Sequence, residues 1–74
     1  MIATVWTQPN CRYCDDVKKA LTDAGFTYVE RDITKTSDVL REQFKNTYKT
    51  TPQVFVGQQH VGDCTATIAW LNTL

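Results

Sequence analysis

Cys11 and Cys14 stand three positions apart where one sequence pattern gives way to another. Before them runs the short, apolar, β-branched stretch Ile2-Ala3-Thr4-Val5-Trp6, closed by the turn formers Gln8-Pro9-Asn10. After them Val17, Leu21 and Ala24 recur at helical spacing. The pair therefore sits where a strand hands over to a helix. The first helical turn carries unpaired N–H groups and the positive end of the macrodipole, and both favour a thiolate over a thiol. Asn10 is the expected N-cap, with Cys11 at the first helical position. Cysteines so placed have pKa values lowered from about 8.5 to roughly 3.5–7.5, which makes Cys11 the expected nucleophile. Cys14 falls on the apolar line Cys14, Val17, Leu21, Ala24 and suits a more buried, resolving thiol. Two thiols at this spacing can share one disulfide and trade it with another molecule.

The remaining patterns alternate. Ala24-Gly25 ends the first helix, since glycine tolerates the left-handed conformation that closes one. Thr27 to Asp32 reads as a second strand, giving a right-handed βαβ unit with a parallel pair. Thr36-Ser37-Asp38 opens a shorter helix to about Thr47, with Val39, Leu40, Phe44 and Tyr48 as its apolar points and Arg41, Glu42, Lys45 and Asn46 as a solvated face. Thr50-Thr51-Pro52 breaks the chain. Gln53 to Val56, Gly57-Gln58 and Gln59 to Val61 form a hairpin. A last helix spans Cys64 to about Asn72, with Ile68 and Leu71 inward and Asp63 or Thr65 as its cap. The expected fold is α/β, β-α-β-α-β-β-α, with one four-stranded mixed sheet flanked by helices.

With 74 residues, the chain has room for one small domain, 1–74. Lys plus Arg equals Asp plus Glu at eight each, so nothing in the charge points to nucleic acid or an anionic membrane. No apolar run approaches a membrane span and no signal peptide pattern opens the chain, so the expected location is cytoplasmic. Three cysteines is an odd count, which argues against a secreted disulfide framework and leaves at least one thiol free.

Taken with the element order, the Cys11-Arg12-Tyr13-Cys14 motif, the Thr51-Pro52 before the third strand and the Gly62-Asp63 after the fourth resemble the thioredoxin fold, and more narrowly the glutaredoxins. The stretch Thr51-Pro52-Gln53-Val54-Phe55-Val56 through Gly62 and on to Ala69-Trp70-Leu71 is similar to the C-terminal half of the small dithiol glutaredoxins of bacteria and their phages. The resemblance implies an oxidoreductase with glutathione as co-substrate and no tightly bound cofactor. Its partners would be disulfide-bonded or glutathionylated proteins, with ribonucleotide reductase a candidate, and the chain would act as a monomer. It implies that Cys11 forms the mixed disulfide with glutathione and that Cys14 closes the intramolecular one. It places Tyr13 beside the bound tripeptide, Thr51 with its backbone against the cysteine of glutathione, Thr50 within reach, and Pro52 after a cis bond. Gln8 falls where relatives often carry Lys or Arg for the glycine carboxylate.

Gly62, Asp63, Cys64, Thr65 and Ala66 fall on the motif for the γ-glutamyl end, which in relatives commonly reads Gly-Gly, a variable residue, Ser or Thr, then Asp. Here Asp63 replaces the second glycine and Ala66 the aspartate, so the carboxylate is displaced by three positions. Asp63, with the N–H groups of Cys64 and Thr65 at a helix start, is expected to take over that recognition. Arg12 stands where many glutaredoxins carry Pro and adds a positive charge beside Cys11, favouring its thiolate.

Two other readings compete. Cys11, Cys14, Cys64 and His60 add up to four zinc ligands, and a cluster-bridging iron–sulfur dimer occurs in the family, chiefly in single-cysteine members. Within redox chemistry, the rival is a glutaredoxin-like electron donor reduced by thioredoxin reductase. Alone, Cys64 is a small buried hydrophobe and His60 a surface or packing residue.

Overall fold

The computed structural model describes residues 1–74. Its elements follow the expected order: β1 (Ile2–Thr7), α1 (Arg12–Asp23), β2 (Thr27–Asp32), α2 (Asp38–Thr47), β3 (Gln53–Val56), β4 (Gln59–Gly62) and α3 (Cys64–Leu71). A short 3₁₀ turn, Ile33–Lys35, that the sequence reading did not foresee lies between β2 and α2. The Asp32 carboxylate caps it, accepting from the Thr34 N–H at 2.8 Å and the Thr34 hydroxyl at 2.6 Å, and those bonds hold the carboxyl below its usual range.

The strands form one sheet in the order β2-β1-β3-β4. β1 runs parallel to β2, with Val5 opposite Glu30, and antiparallel to β3, with Val5 opposite Val54; β3 and β4 are antiparallel. Side chains alternate along β1, so its two faces separate cleanly. Ala3 and Val5 point to the face covered by α1 and α3 and join Val17, Leu21, Phe26, Val54 and Cys64 in the core. Trp6 points to the other face and meets Phe44 of α2 at 5.5 Å between ring centroids. Tyr48 and Phe55 continue that aromatic layer, and the Arg31 guanidinium lies 5.2 Å from the Trp6 ring centroid.

Several expectations are corrected. On α2 only Phe44 is buried; Val39 and Leu40 are exposed, because the helix meets one sheet face through a narrow stripe. In α3 it is Thr67 that is fully buried, its hydroxyl bonded to the Gly62 carbonyl at 3.4 Å, while Ile68 is 39% exposed. A short helix buries whatever its axis turns toward the sheet, and here hydrogen bonding lets a threonine occupy that place. Ala24 is exposed as the C-cap of α1, with Gly25 beyond it at φ +87°. No helix is long and apolar enough to cross a membrane.

Candidate active site

The turn from β1 into α1 sets the site. Asn10 takes φ +60°, a left-handed conformation that asparagine tolerates better than most residues. It is therefore not the N-cap. That position belongs to Cys11, extended at φ −107°, ψ 101°, whose Sγ accepts from the Cys14 N–H at 3.1 Å. Sulfur thus stands where a capping oxygen usually does, and a thiolate there meets the unpaired N–H groups and the helix dipole directly. The two cysteines are joined as a disulfide with Cα atoms 5.2 Å apart, well within the range a disulfide spans. Cys14 is 2% exposed and Cys11 half-buried.

Thr51 lies over Cys11 from the opposite side of the chain. Its carbonyl oxygen is 3.8 Å from Cys11 Sγ and its hydroxyl donates to the same sulfur at 3.6 Å. The Thr51–Pro52 bond is cis, as the resemblance implied. Beside this loop opens a cavity of about 350 Å³ lined by Tyr13, Thr50, Thr51, Pro52, Asp63, Cys64 and Thr65. Seven residues singled out from separate stretches of the sequence thus converge on one cavity. Asp63 is the N-cap of α3, with Oδ1 accepting from the Ala66 N–H at 2.9 Å. Gly62, at φ +127°, precedes it, and a Cβ there would come within 2.8 Å of the Ala66 methyl group. Cys64 is buried, and that burial chiefly, with the negative charges of Asp16 and Asp63, pushes its thiol pKa up, so it stays protonated at neutral pH.

Gln8 and Arg12 are not part of that cavity. Both line a second groove, of about 680 Å³, whose wall includes Cys11 and Cys14 themselves, with Asp15, Lys18, Glu30 and Asp32. Lys18 pairs there with Glu30 at 3.3 Å and Asp15 at 3.4 Å; partial burial disfavours its charge, but these partners outweigh that and raise its pKa. Gln8 also borders a third groove, about 290 Å³, that it shares with Thr50, Thr51, Lys45 and Lys49. Neither lysine is marked as a site residue by the sequence: Lys45 lies on the polar face of α2 and Lys49 in the segment that follows the helix. No three His, Cys, Asp or Glu side chains converge as a metal site would require, so Cys11, Cys14, Cys64 and His60 are not a ligand set.

A sulfur pair that closes into a disulfide at the start of a helix, beside a cavity whose Thr51 wall contacts Cys11 Sγ, defines a thiol–disulfide redox protein of thioredoxin-like fold. The glutaredoxin family model matches residues 3–61. Glutaredoxin 3 of Escherichia coli K12 is 33% identical over 61 residues, covering 81% of this chain and 74% of that protein. Glutaredoxin 1 of Salmonella typhimurium is 30% identical over an alignment of 80 positions, covering 95% and 90%. The solution structure of glutaredoxin from Brucella melitensis superposes with a TM-score of 0.81 at 29% identity, over 99% of this chain and 80% of that one. The chain belongs to the glutaredoxin family.

Proposed function

We propose that the protein is a glutathione-dependent oxidoreductase that reduces glutathione mixed disulfides and protein disulfides through Cys11 and Cys14. The observation that carries this reading is the cavity between Tyr13, the Thr50–Pro52 loop and Asp63–Thr65, whose Thr51 wall touches Cys11 Sγ. It offers an aromatic side, a stretch of backbone beside the reacting sulfur and a carboxylate at a helix start, which suit a small, extended, zwitterionic peptide thiol.

In the first half-reaction the Cys11 thiolate attacks the glutathione sulfur of a mixed disulfide. A Cys11–glutathione bond forms and the substrate thiolate leaves. A second glutathione thiolate then attacks the glutathione sulfur on Cys11, giving glutathione disulfide and free Cys11 thiolate. With a protein disulfide, Cys11 forms the mixed disulfide with the protein and Cys14 displaces the remaining protein thiolate, leaving the Cys11–Cys14 disulfide for glutathione to reduce. Sulfur alone carries both electrons. The γ-glutamyl end meets Asp63 and the first-turn N–H groups of α3, and the glycine carboxylate meets Gln8, Lys45 and Lys49 along the adjoining groove.

The deciding experiment couples reduction of a small glutathione mixed disulfide to NADPH, once through glutathione and glutathione reductase and once through thioredoxin reductase. Turnover is expected in the glutathione arm. Turnover with thioredoxin reductase alone would replace this reading with that of an electron donor to another reductase system.

Asp63 is given two jobs, capping and recognition, and two variants separate them. Asp63→Ala is expected to raise the KM for glutathione about tenfold, in keeping with a charge-assisted contact, and to cost about 1 kcal/mol of stability through the lost cap. Asp63→Ser keeps a capping oxygen, so it should show the KM effect with most of the stability restored. Steady-state kinetics and urea unfolding of both variants check this, and an unchanged KM removes Asp63 from the binding site.

A further inference from the structure

The geometry points to Gln53 and His60 as positioning residues that hold the Thr50–Thr51 loop over Cys11. Gln53 follows Pro52, heads β3 and is 6% exposed, facing the same side of the sheet as Phe55 and His60. Its Nε2 donates to the Thr50 carbonyl at 3.1 Å, and at 3.5 Å reaches the Thr50 hydroxyl as well. No backbone N–H donates to that carbonyl, so the amide is its partner within the protein. The amide's other end, Oε1, lies 2.7 Å from His60 Nε2.

The chain of donors has one consistent direction. The Thr50 carbonyl can only accept, so the Gln53 amide must present its nitrogen there and its oxygen to His60. His60 must then carry its proton on Nε2. His60 is exposed, but its imidazole packs against two rings, Tyr48 at 4.9 Å and Phe55 at 4.8 Å between centroids. A histidine on the edge strand β4 thus orients a buried amide, and the amide fixes the residue before Thr51, whose carbonyl and hydroxyl lie against Cys11 Sγ. Neither residue borders the cavity, so each acts through the loop. Any disulfide that reaches Cys11 has to align with that loop, and a looser loop weakens alignment without altering the sulfur chemistry.

The proposal uses the glutathione reading only to choose the substrate, and its test does not depend on it. Nitrogen-15 NMR of the wild-type imidazole is expected to show Nε2 protonated and Nδ1 bare at a pH where His60 is neutral. His60→Phe keeps a ring between Tyr48 and Phe55 but removes the donor; it should raise the KM for a glutathione mixed disulfide about tenfold, as for a buried acceptor left unpaired, with kcat within about twofold. His60→Gln loses the ring but restores an N–H donor, and should recover most of that KM. A Phe variant with wild-type KM, a Gln variant no better than the Phe variant, or an Nδ1-protonated imidazole would each overturn the proposal. Should the wild type turn over only with thioredoxin reductase, the glutathione reading fails by itself. The same two variants, measured on a protein disulfide, then decide the role of His60 by the same KM criterion.

Discussion

Cys11→Ser is expected to bring reduction of both glutathione mixed disulfides and protein disulfides down to the uncatalysed rate, whereas Cys14→Ser should remove the second activity and leave much of the first. The difference lies in what each sulfur meets. Cys11 Sγ takes the Cys14 N–H and the Thr51 hydroxyl and is partly open to solvent, so an anionic sulfur is stabilised where a substrate can reach it. A serine oxygen there stays protonated at neutral pH and is a poor nucleophile without a neighbouring base. Cys14 is 2% exposed and cannot meet a bulky disulfide, but it lies within bonding distance of Cys11. Its loss leaves a protein mixed disulfide on Cys11 with no internal thiol to displace it. On the proposed function, free glutathione would still clear a glutathione adduct from outside. Equal loss of both activities in Cys14→Ser would show that the second cysteine also supports the first step.

The second large effect is on stability. Leu21→Ala should destabilise the fold by about 2–5 kcal/mol, the usual cost of opening a cavity where a leucine was fully packed. Leu21 has no exposed surface and lies in the cluster of Ala3, Val5, Val17, Phe26, Val54 and Cys64, between α1 and the sheet. A chain of this length typically has a total stability of about 4–11 kcal/mol, so one substitution removes a large fraction of it. The urea midpoint should fall accordingly, and Leu74→Ala, at an exposed terminus, should move it by no more than about 0.5 kcal/mol in equivalent stability. A small shift for Leu21→Ala would mean that the core closes over the vacancy.

The aromatic layer on the other face of the sheet bears on both results. Trp6, Phe44, Tyr48, Phe55 and His60 pack ring to ring there, with Phe44 of α2 meeting Trp6 and Tyr48, the residue that caps α2, meeting Phe55 and His60. That face holds the Gln53–His60 bond in place behind the Thr50–Thr51 loop. Packing on one side of the sheet therefore reaches the sulfur on the other through β3, which carries Val54 inward to the core and Gln53 outward to the loop.

The order of elements, the parallel β1/β2 pair, the hairpin and the helix-start position of the two thiols were all readable from the chain, because they rest on short-range causes. Alternation of apolar residues, the turn residues around Pro9 and Gly57, and the glycine after α1 act within a few positions of themselves. Tertiary structure decided the rest. It made Cys11 rather than Asn10 the cap, because the turn from β1 forces Asn10 to positive φ. It turned Thr67 inward instead of Ile68, sent Gln8 and Arg12 to grooves outside the cavity between Tyr13, Thr51 and Asp63, brought Lys45 into a groove with Gln8 and Thr51, and tied His60 to Thr50 through Gln53. These outcomes depend on the exact path of the backbone through each turn and on which side chains the packed elements set against one another, and no pattern of residue types records which partner a side chain will find.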